Sequence, residues 1–331
     1  MFKTFSFRRV IQGAVLGVGA LAAATGTAQA GKLAIGHFIW VGYGPLYLAR
    51  DLGYFKENGL EVDIKVLDDT SLIMAAQAAG KLSGAASTID DVLKYRSDNF
   101  CFKAVLTLDD SAGGDGIVAT SDIKTLADLK GKTVALNEGS TSQFFISYLM
   151  KKEGIPLDSI TTSNMTADDA AAAFIAGRVP AAVTWEPNLT LVKTKNVGHV
   201  VLDSTKAPGV IVDVVELSCS VIEKQPEDVK ALVAGYYKAL DYMKAHPKEA
   251  DAIMAKGVGG YLSKPEDFAD AETGVRFYDK PMNVAYMGAP GKPGAIADVI
   301  KLANEIWTDL GRIKDGHVGY DDIVDPSFVG E

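Results

Sequence analysis

The sequence predicts an α/β fold of two lobes, each a mainly parallel sheet flanked by helices, joined by two crossover strands. Two series of alternating strand and helix patterns support this fold, since such alternation is typical of parallel sheets covered on both faces. Residues 106–119 lie between the two series, and Gly113, Gly114 and Gly116 let the backbone bend there. A second long apolar run, residues 209–217, is the other candidate crossover. A plain surface turn is the alternative interpretation of the glycine-rich segment.

The first series occupies residues 32–108. Buried apolar runs and alternating patterns predict its strands at residues 32–36, 60–67, 82–87 and 99–108. Pro45 suits an early helical position, and the apolar face that follows it continues to the stop signal Asn58-Gly59. Further helices are predicted over residues 71–79 and from Thr88 to about Tyr95.

The second series begins after the glycine-rich segment. Its predicted strands are residues 133–136, 160–163, 181–184 and 199–202. Between them we expect helices over residues 126–132, 142–154, 167–176 and 188–195. The remainder reads as helical, with the longest 3.6-residue patterns over residues 228–245, 248–256, 265–274 and 293–310.

The first thirty residues have the features of a secretory signal peptide. Lys3, Arg8 and Arg9 form a positive region, a largely apolar stretch follows, and the segment ends in an Ala-x-Ala site at Ala30. The apolar stretch is short for a membrane span of about 20 residues, although an uncleaved anchor is the alternative. The arginine pair leaves both the general and the twin-arginine export routes open. We therefore expect an exported, periplasmic protein that begins at Gly31.

Charge and cysteine content exclude several classes of protein. The leader carries three basic residues and no acid, so the mature net charge is 30 − 42 = −12. An acidic chain lacks the basic footprint that nucleic acids require, so we expect no nucleic-acid partner. Two cysteines are too few for a disulfide scaffold, and no Cys/His spacing is typical of a zinc site.

Several segments, in order, carry a family resemblance: GYGPLYLARDLGYF at residues 42–55, GLEV at 59–62, DLKGKTV at 128–134, AFIAGRV at 173–179 and WEP at 185–187. With the leader, they resemble periplasmic binding proteins of the nitrate, taurine and aliphatic-sulfonate type. The likeness covers nearly all of the mature chain. It implies a type II fold, a solute held between the lobes, and delivery to an inner-membrane permease with its ATPase. It also implies a monomer that needs no cofactor.

The resemblance and the fold together predict where the lobes lie. Lobe 1 is expected to comprise residues 31–112 and 214–331, and lobe 2 residues 113–213. Ligands of open α/β sheets bind beyond the carboxyl ends of the strands. Two such edges facing each other across two crossovers would form a cleft that closes around a solute.

Residues of unusual type at those strand ends are the candidate ligand-binding residues: Trp40, Tyr43, Thr88, Asp90, Asp109, Asp115, Ser140, Thr141, Ser142, Trp185, Glu186 and Asp213. Each has a structural alternative. The aromatic residues at 40 and 43 could pack within a lobe, and the hydroxyls at 88 and 140–142 could cap helices. Glu186 could serve a helix dipole, and Asp213 could pair with the backbone near the hinge.

The acidic character of these residues bears on the ligand. The candidate set contains five carboxylates and neither Arg nor Lys, so a dianion would meet an unfavourable field. We therefore expect a small neutral, cationic or zwitterionic nitrogen compound, such as taurine, a guanidine or urea derivative, or an aminopyrimidine. Helix N-termini can hold anions without basic side chains, which keeps nitrate and sulfate as alternatives.

Two further expectations depend on the resemblance. If residues 209–217 return as a strand antiparallel to its neighbours, as the family topology implies, Cys219 would lie near Cys101 and the two could form a disulfide. The same fold family includes a pyrimidine synthase that uses a histidine and a pyridoxal-type cofactor. That alternative needs a cysteine-rich cluster, which this chain lacks. A periplasmic sensor is a third hypothesis.

Overall fold

The computed structural model describes residues 1–3, 30–313 and 318–330. The predicted signal peptide, residues 1–30, lies almost entirely outside the described residues. The strands are β1 (Gly31–His37), β2 (Leu60–Val66), β3 (Gly84–Thr88), β4 (Phe102–Ser111), β5 (Asp115–Ala119), β6 (Thr133–Leu136), β7 (Thr161–Asn164), β8 (Ala181–Trp185), β9 (His199–Asp203), β10 (Val212–Ser218), β11 (Val275–Phe277), β12 (Gly288–Ala289) and β13 (Lys292–Pro293).

Fourteen α-helices of the described residues accompany these strands. They are α1 (Gly44–Asp51), α2 (Tyr54–Glu57), α3 (Thr70–Ala78), α4 (Ile89–Leu93), α5 (Thr141–Lys152), α6 (Ala167–Ile175), α7 (Asn188–Lys195), α8 (Cys219–Lys224), α9 (Pro226–Ala245), α10 (Pro247–Val258), α11 (Pro265–Glu272), α12 (Lys280–Met287), α13 (Ile296–Asp309) and α14 (Tyr320–Ile323). None of the described helices has the length and apolar content needed to cross a membrane.

Two separate sheets confirm the predicted α/β architecture. The first has the strand order β11-β4-β10-β3-β1-β2, and the second has the order β7-β6-β8-β5-β9. In each sheet four strands run in one direction, while β10 and β11 in the first sheet and β5 in the second run against their neighbours. Both sheets are therefore mainly parallel, and the strands that reverse direction lie next to the crossovers.

The chain crosses between the sheets twice. Residues 112–114 connect β4 to β5, and residues 204–211 return the chain from β9 to β10. The first segment lies within the predicted crossover at residues 106–119, and the second overlaps the predicted crossover at residues 209–217 only as far as residue 211, because β10 begins at Val212. Strand β4 extends beyond the predicted end at residue 108. Its last residues continue the pairing with β10 as far as Asp110, so the first connection is three residues long. The glycine-rich segment is a crossover and not a surface turn.

The C-terminal part differs from the all-helical prediction. A short strand, β11, pairs with the end of β4, and β12 with β13 forms a small separate hairpin. Such two- and three-residue strands are too short to show a period of two in the sequence. Helix α13 packs beside both α4 and α5. Its buried Trp307 donates an indole hydrogen bond to the carbonyl of Asp90 at 2.7 Å and lies 5.9 Å from the ring of Phe144.

Cys101 and Cys219 form the predicted disulfide, with their Cα atoms 5.4 Å apart. The pairing follows from topology. Strand β10 runs antiparallel to β4, so the end of β10 lies beside the start of β4. The backbone amide of Cys219 also donates to the carbonyl of Cys101 at 3.0 Å. The bridge therefore joins the two crossover strands at the end remote from the crossovers.

Candidate functional site

Strand register assembles a row of polar side chains at the crossover edge of the first sheet. Asp213 of β10 is paired with Thr88 of β3 on one side and with Asp109 of β4 on the other. In the second sheet, Asp115 at the start of β5 is paired with Trp185 at the end of β8. Strands β4, β5 and β10 enter or leave a crossover, and β3 and β8 pair with β10 and β5, so all five residues lie near the crossovers.

The loop after β1, residues 38–43, is rich in aromatic residues and covers Asp109 and Asp213. The indole Nε1 of Trp40 donates to Oδ1 of Asp109 at 3.1 Å, and the Tyr43 hydroxyl donates to Oδ1 of Asp213 at 2.5 Å. A Cβ on Gly42 would meet Oδ2 of Asp109 at 2.1 Å, and one on Gly114 would meet the Trp40 ring at 2.6 Å. Glycine at both positions therefore permits the loop, the carboxylate and the crossover to pack together.

His37, at the end of β1, fixes the start of the same loop. Its Nδ1 lies 2.5 Å from the carbonyl oxygen of Phe38, and its Nε2 lies 2.6 Å from the hydroxyl of Tyr47. A carbonyl can only accept, so Nδ1 carries the proton and Nε2 accepts from the tyrosine. Burial lowers the pKa of His37 to about 4. The ring is therefore a neutral structural group near neutral pH.

Two adjoining cavities lie between the sheets. The inner cavity has a volume of about 10 Å³, roughly the room that one water molecule needs, and is lined by Phe38, Trp40, Thr88, Asp115, Thr141, Trp185, Ile211 and Asp213. The outer cavity has a volume of about 50 Å³ and is lined by Phe38, Asp68, Asp69, Thr70, Asp91, Asn137, Ser140, Thr141, Thr166, Ala167, Asp168 and Trp185. Among the described residues that line either cavity, six are aspartates and none is a lysine or arginine. The cleft is therefore strongly acidic.

Contacts across the cleft hold the two lobes together. The hydroxyls of Thr88, from the first sheet, and Thr141, at the start of α5, lie 2.6 Å apart. The rings of Phe38 and Trp185 approach to 5.7 Å between centroids. Lys94, at the end of α4, forms an ion pair with Asp91 at 2.5 Å and also donates to the carbonyl of Gly139. These contacts describe a closed arrangement of the lobes.

The carboxylates of the cleft floor hold protons unusually strongly. Burial raises the pKa of Asp115 to about 7, against a hydrogen bond from Ser111 that lowers it. Burial raises the pKa of Asp109 and of Asp213 well above the ordinary value. The charges of Asp110 and Asp115 raise the pKa of Asp109 further, and the charge of Asp109 raises that of Asp213. In the absence of a cation these groups therefore favour their neutral forms.

The structure distributes the twelve predicted site residues over four positions. Six line the inner cavity: Trp40, Thr88, Asp115, Thr141, Trp185 and Asp213. Ser140 lines the outer cavity, and Tyr43 and Asp109 lie behind the wall, bonded to residues that line it. Asp90, Ser142 and Glu186 line neither cavity, although all three are buried.

For some of these side chains the structure shows the structural role that was the alternative to ligand binding. Ser140 caps α5, since its hydroxyl accepts from the amide of Ser142 at 3.2 Å. Glu186 accepts from the amide and the hydroxyl of Thr190, both at 3.0 Å, and so holds the first turn of α7. Thr88 makes no capping bond to α4 and faces the cleft. Asp213 pairs with a tyrosine and not with hinge backbone.

Ten residues that line the two cavities were not among the candidates. Phe38 lines both cavities and Ile211 lines the inner one. The other eight line the outer cavity: Asp68, Asp69, Thr70, Asp91, Asn137, Thr166, Ala167 and Asp168. Phe38 belongs to the same aromatic loop as Trp40, which could have indicated it. Asp68 lies two residues after β2, and Asp168 is the second residue of α6, the helix that follows β7. Acidic residues are common in such turns, and nothing in the sequence separates these two from the others.

Replacing the buried hydroxyl that holds Asp213 should destabilise the protein. We expect Tyr43→Phe to lower the free energy of unfolding by about 1 to 3 kcal/mol, because Asp213 loses a buried donor. Urea unfolding followed by circular dichroism measures the change. Tyr148→Phe on α5 is the matched control, expected within about 0.5 kcal/mol of the parent. Equal effects of the two substitutions would contradict the importance of this hydrogen bond.

Comparison with known proteins places the fold in a family. Residues 40–250, more than half of the chain, match the model of the family described as NMT1/THI5 like. The chain belongs to that family. A protein of Bacillus subtilis named as an aliphatic sulfonates-binding protein is 24% identical over 299 residues, covering 86% of this chain and 83% of its own length. A binding protein of Brucella abortus is 26% identical over 218 residues, which are 63% of this chain.

Some relatives match this chain over only part of their length. The matched segment is 66% of the length of the Brucella protein. A 4-amino-5-hydroxymethyl-2-methylpyrimidine phosphate synthase of Aspergillus parasiticus is 27% identical over 233 residues, covering 63% of this chain and 65% of the enzyme. The NMT1/THI5-like sequences similar to this chain therefore include binding proteins and an enzyme.

Solved structures confirm the predicted type II periplasmic-binding-protein fold. The aliphatic sulphonate binding protein SsuA of Escherichia coli superimposes with a TM-score of 0.70 at 18% identity, covering 88% of this chain and 97% of SsuA. The nitrate-binding protein NrtA of Synechocystis gives 0.59 at 16% identity, with 90% and 94% covered. At this identity the structures establish the fold, and the ligand has to be argued from the site.

Proposed function

We propose that the protein is a periplasmic solute receptor that binds a small organic compound through a cationic nitrogen and delivers it to an ABC importer. One observation carries the ligand class. Asp115 and Asp213 face the inner cavity, and among the described residues that line both cavities no basic side chain balances them. A cationic group from the solute would supply that balance.

The physical argument concerns burial. An ionised carboxylate away from water is costly unless it is paired, and these side chains are 5% and 2% exposed. A ligand ammonium or guanidinium group would stabilise their ionised forms. The rings of Phe38, Trp40 and Trp185 around the same cavity would add cation–π attraction for a desolvated cation. Both effects act against nitrate or sulfate.

Zwitterionic solutes belong to the proposed class. Ser140 and Thr141, at the start of α5, line the outer cavity. The N-terminus of a twelve-residue helix favours negative charge, so an anionic group could lie there while an ammonium group lies at Asp213. Taurine-like compounds would satisfy both ends, in agreement with the sulfonate-binding name of the Bacillus subtilis relative.

The chemistry of the cleft favours binding over catalysis. The two cysteines are joined in a disulfide far along the crossover strands, so neither offers a thiol to the site. His37 has its two nitrogens engaged by Phe38 and Tyr47.

We propose that residues 113–213 close as one lobe against residues 31–112 and 214–331. We also propose that the mature protein acts as a monomer and that a membrane permease with its ATPase receives the solute. A sensor that presents the closed form to another receptor is the second candidate.

A thermal-shift screen of the mature protein tests the ligand class. The probes are taurine, guanidinium, an aminopyrimidine, urea, sodium nitrate and sodium sulfate at matched ionic strength. A cationic or zwitterionic probe at 100-fold its dissociation constant should raise the Tm by about 5 °C, because it binds the folded state alone. Stabilisation by nitrate with no effect of any nitrogen compound would refute the proposal.

Matched variants localise the effect. Asp213→Asn removes a carboxylate of the inner cavity and should abolish the shift. Glu216→Gln removes another fully buried carboxylate of the same strand, one that contacts Gln77 and lines neither cavity. We expect the second variant to retain the ligand-induced shift. Equal loss in both variants would place the effect outside the cleft.

A further inference from the structure

The first residue of β1 lies directly against a carboxylate of α9. A Cβ on Gly31 would meet Oδ1 of Asp228 at 1.9 Å and Oδ2 at 2.2 Å, so glycine is what leaves room for this carboxylate. The nitrogen bonded to the same Cα lies about 2.5 Å from that Cβ position. The Asp228 carboxylate is therefore roughly 4.5 Å or less from the backbone nitrogen of Gly31.

Asp228 has no cationic partner in the part of the chain that the structure describes. The ion pairs found there do not include it, whereas its neighbour Glu227 pairs with Lys230 at 3.1 Å. Asp228 is half-buried, and this burial raises its pKa above the ordinary value. Both acids lie in the first turn of α9, where a negative charge is favoured. Glu227 serves that role while 82% exposed, so the helix dipole does not explain why Asp228 gives up water to lie against Gly31.

The nitrogen of Gly31 cannot compensate this carboxylate while the leader is attached. It is then a peptide nitrogen with a single proton, which it donates to the carbonyl of Gly59 at 2.9 Å. The predicted cleavage after Ala30 adds water across the Ala30–Gly31 peptide bond. The hydroxyl goes to the carbonyl carbon of Ala30 and the proton goes to the nitrogen of Gly31. Near neutral pH the new carboxyl group loses a proton and the new amine gains one, so residue 31 acquires a positive charge and two further donors.

We propose that removal of the leader creates an ion pair between the α-ammonium group of Gly31 and Asp228, which fastens the start of β1 to α9. The inference depends on the predicted cleavage after Ala30 and is independent of the ligand that the cleft binds. The other charged groups beside the start of β1 already have partners. Lys32 pairs with Glu61 at 3.2 Å, with both side chains more than half exposed. Asp228 is therefore the carboxylate that faces the new ammonium group from α9.

The reactivity of the α-amino group tests this pair directly. Mass spectrometry of the exported protein first shows whether the chain begins at Gly31. Acetic anhydride in trace amounts then acetylates amines in their unprotonated form, and mass spectrometry of the N-terminal peptide gives the rate at pH 7. A neighbouring carboxylate favours the protonated amine, so we expect the parent to react about two- to five-fold more slowly than Asp228→Asn. Asp241→Asn changes an exposed aspartate of the same helix and should react at the parent rate.

Thermal unfolding tests whether the pair fastens the strand. The mature chain is compared with a chain that keeps two leader residues and so begins at Gln29. We expect Asp228→Asn to lower the Tm of the mature chain by about 1 to 2 °C, as is typical of a partly exposed ion pair. The same substitution should not lower the Tm of the longer chain, in which residue 31 carries no ammonium group. The difference between the two effects measures the coupling of Asp228 to the new N-terminus.

Three results would overturn the inference. The first is an exported chain that begins at a residue other than Gly31. The second is an equal rate of acetylation in the parent and in Asp228→Asn, or an equal acceleration by Asp241→Asn, which would reflect net charge alone. The third is an equal loss of Tm in the mature and the longer chain, because Asp228 would then stabilise α9 without the ammonium group.

Discussion

Removing the Cys101–Cys219 disulfide is expected to lower the free energy of unfolding by about 3 to 5 kcal/mol. The two cysteines are 118 residues apart in sequence, so the bridge closes a long loop in the unfolded chain. Losing the bridge releases that loop and increases the entropy of the unfolded state. Urea unfolding of the mature protein carrying both Cys101→Ser and Cys219→Ser measures the loss.

The reductant provides the internal control for this experiment. Dithiothreitol should destabilise the parent protein by a similar amount and leave the double serine variant unaffected. The bridge lies at the far end of β4 and β10 from the crossovers, so cation binding by the folded variant should be retained. A double variant as stable as the parent to within about 0.5 kcal/mol would show that the bridge does not constrain the unfolded chain.

The fold class was largely predictable because the sequence patterns that indicate it lie within single strands and helices. Alternation of apolar strands and amphipathic helices gave the α/β class, and Gly113 and Gly114 marked the first crossover. The end of β4 was not predictable in this way. Asp109, Asp110 and Ser111 do not resemble strand residues. They are in the strand because β10 pairs with them and Arg276 of β11 binds Asp110 at 2.8 and 2.6 Å.

The site was predictable as far as strand ends could identify it. Six of the proposed residues share one cavity. Thr88 and Trp185 lie at the ends of β3 and β8, and Asp213 and Asp115 lie at the starts of the antiparallel strands β10 and β5 that pair with them. The sequence did not show to which face of the sheet each of these side chains points. Asp109 and Asp110 are adjacent, yet Asp109 contacts Trp40 while Asp110 binds Arg276, since neighbouring side chains of a strand point to opposite faces. Which face becomes the cleft depends on tertiary packing.

Acidic residues on both crossovers have a consequence for closure. Asp115 follows the first crossover and Asp213 follows the second, and both line the inner cavity. A cation bound there would contact the strands about which the lobes move. Binding energy would therefore act at the hinge as well as across the cleft, where Thr88 and Thr141 meet. Under the proposed function, solute charge and lobe closure would be coupled through the same two strands.

Stability of the ligand-free protein is expected to fall as the pH rises from about 5 to about 8. Burial raises the pKa of Asp115 to about 7 and those of Asp90 and Glu216 to about 8. The native state therefore keeps protons that the unfolded chain loses near its ordinary carboxyl pKa of about 4. Between those values the native state binds more protons, so each group lowers the free energy of unfolding by at most about 1.4 kcal/mol per pH unit.

Urea unfolding at several pH values measures this slope, and we expect a loss of at least about 2 kcal/mol over the interval. Glu216→Gln should make the slope shallower without changing cation binding, because Glu216 contacts Gln77 and lines neither cavity. A saturating cationic ligand should also make it shallower, because it stabilises the ionised forms of Asp115 and Asp213. Affinity for the cation should correspondingly increase with pH. A ligand-free protein whose stability does not change between pH 5 and 8 would mean that these buried carboxylates are ionised in the native state.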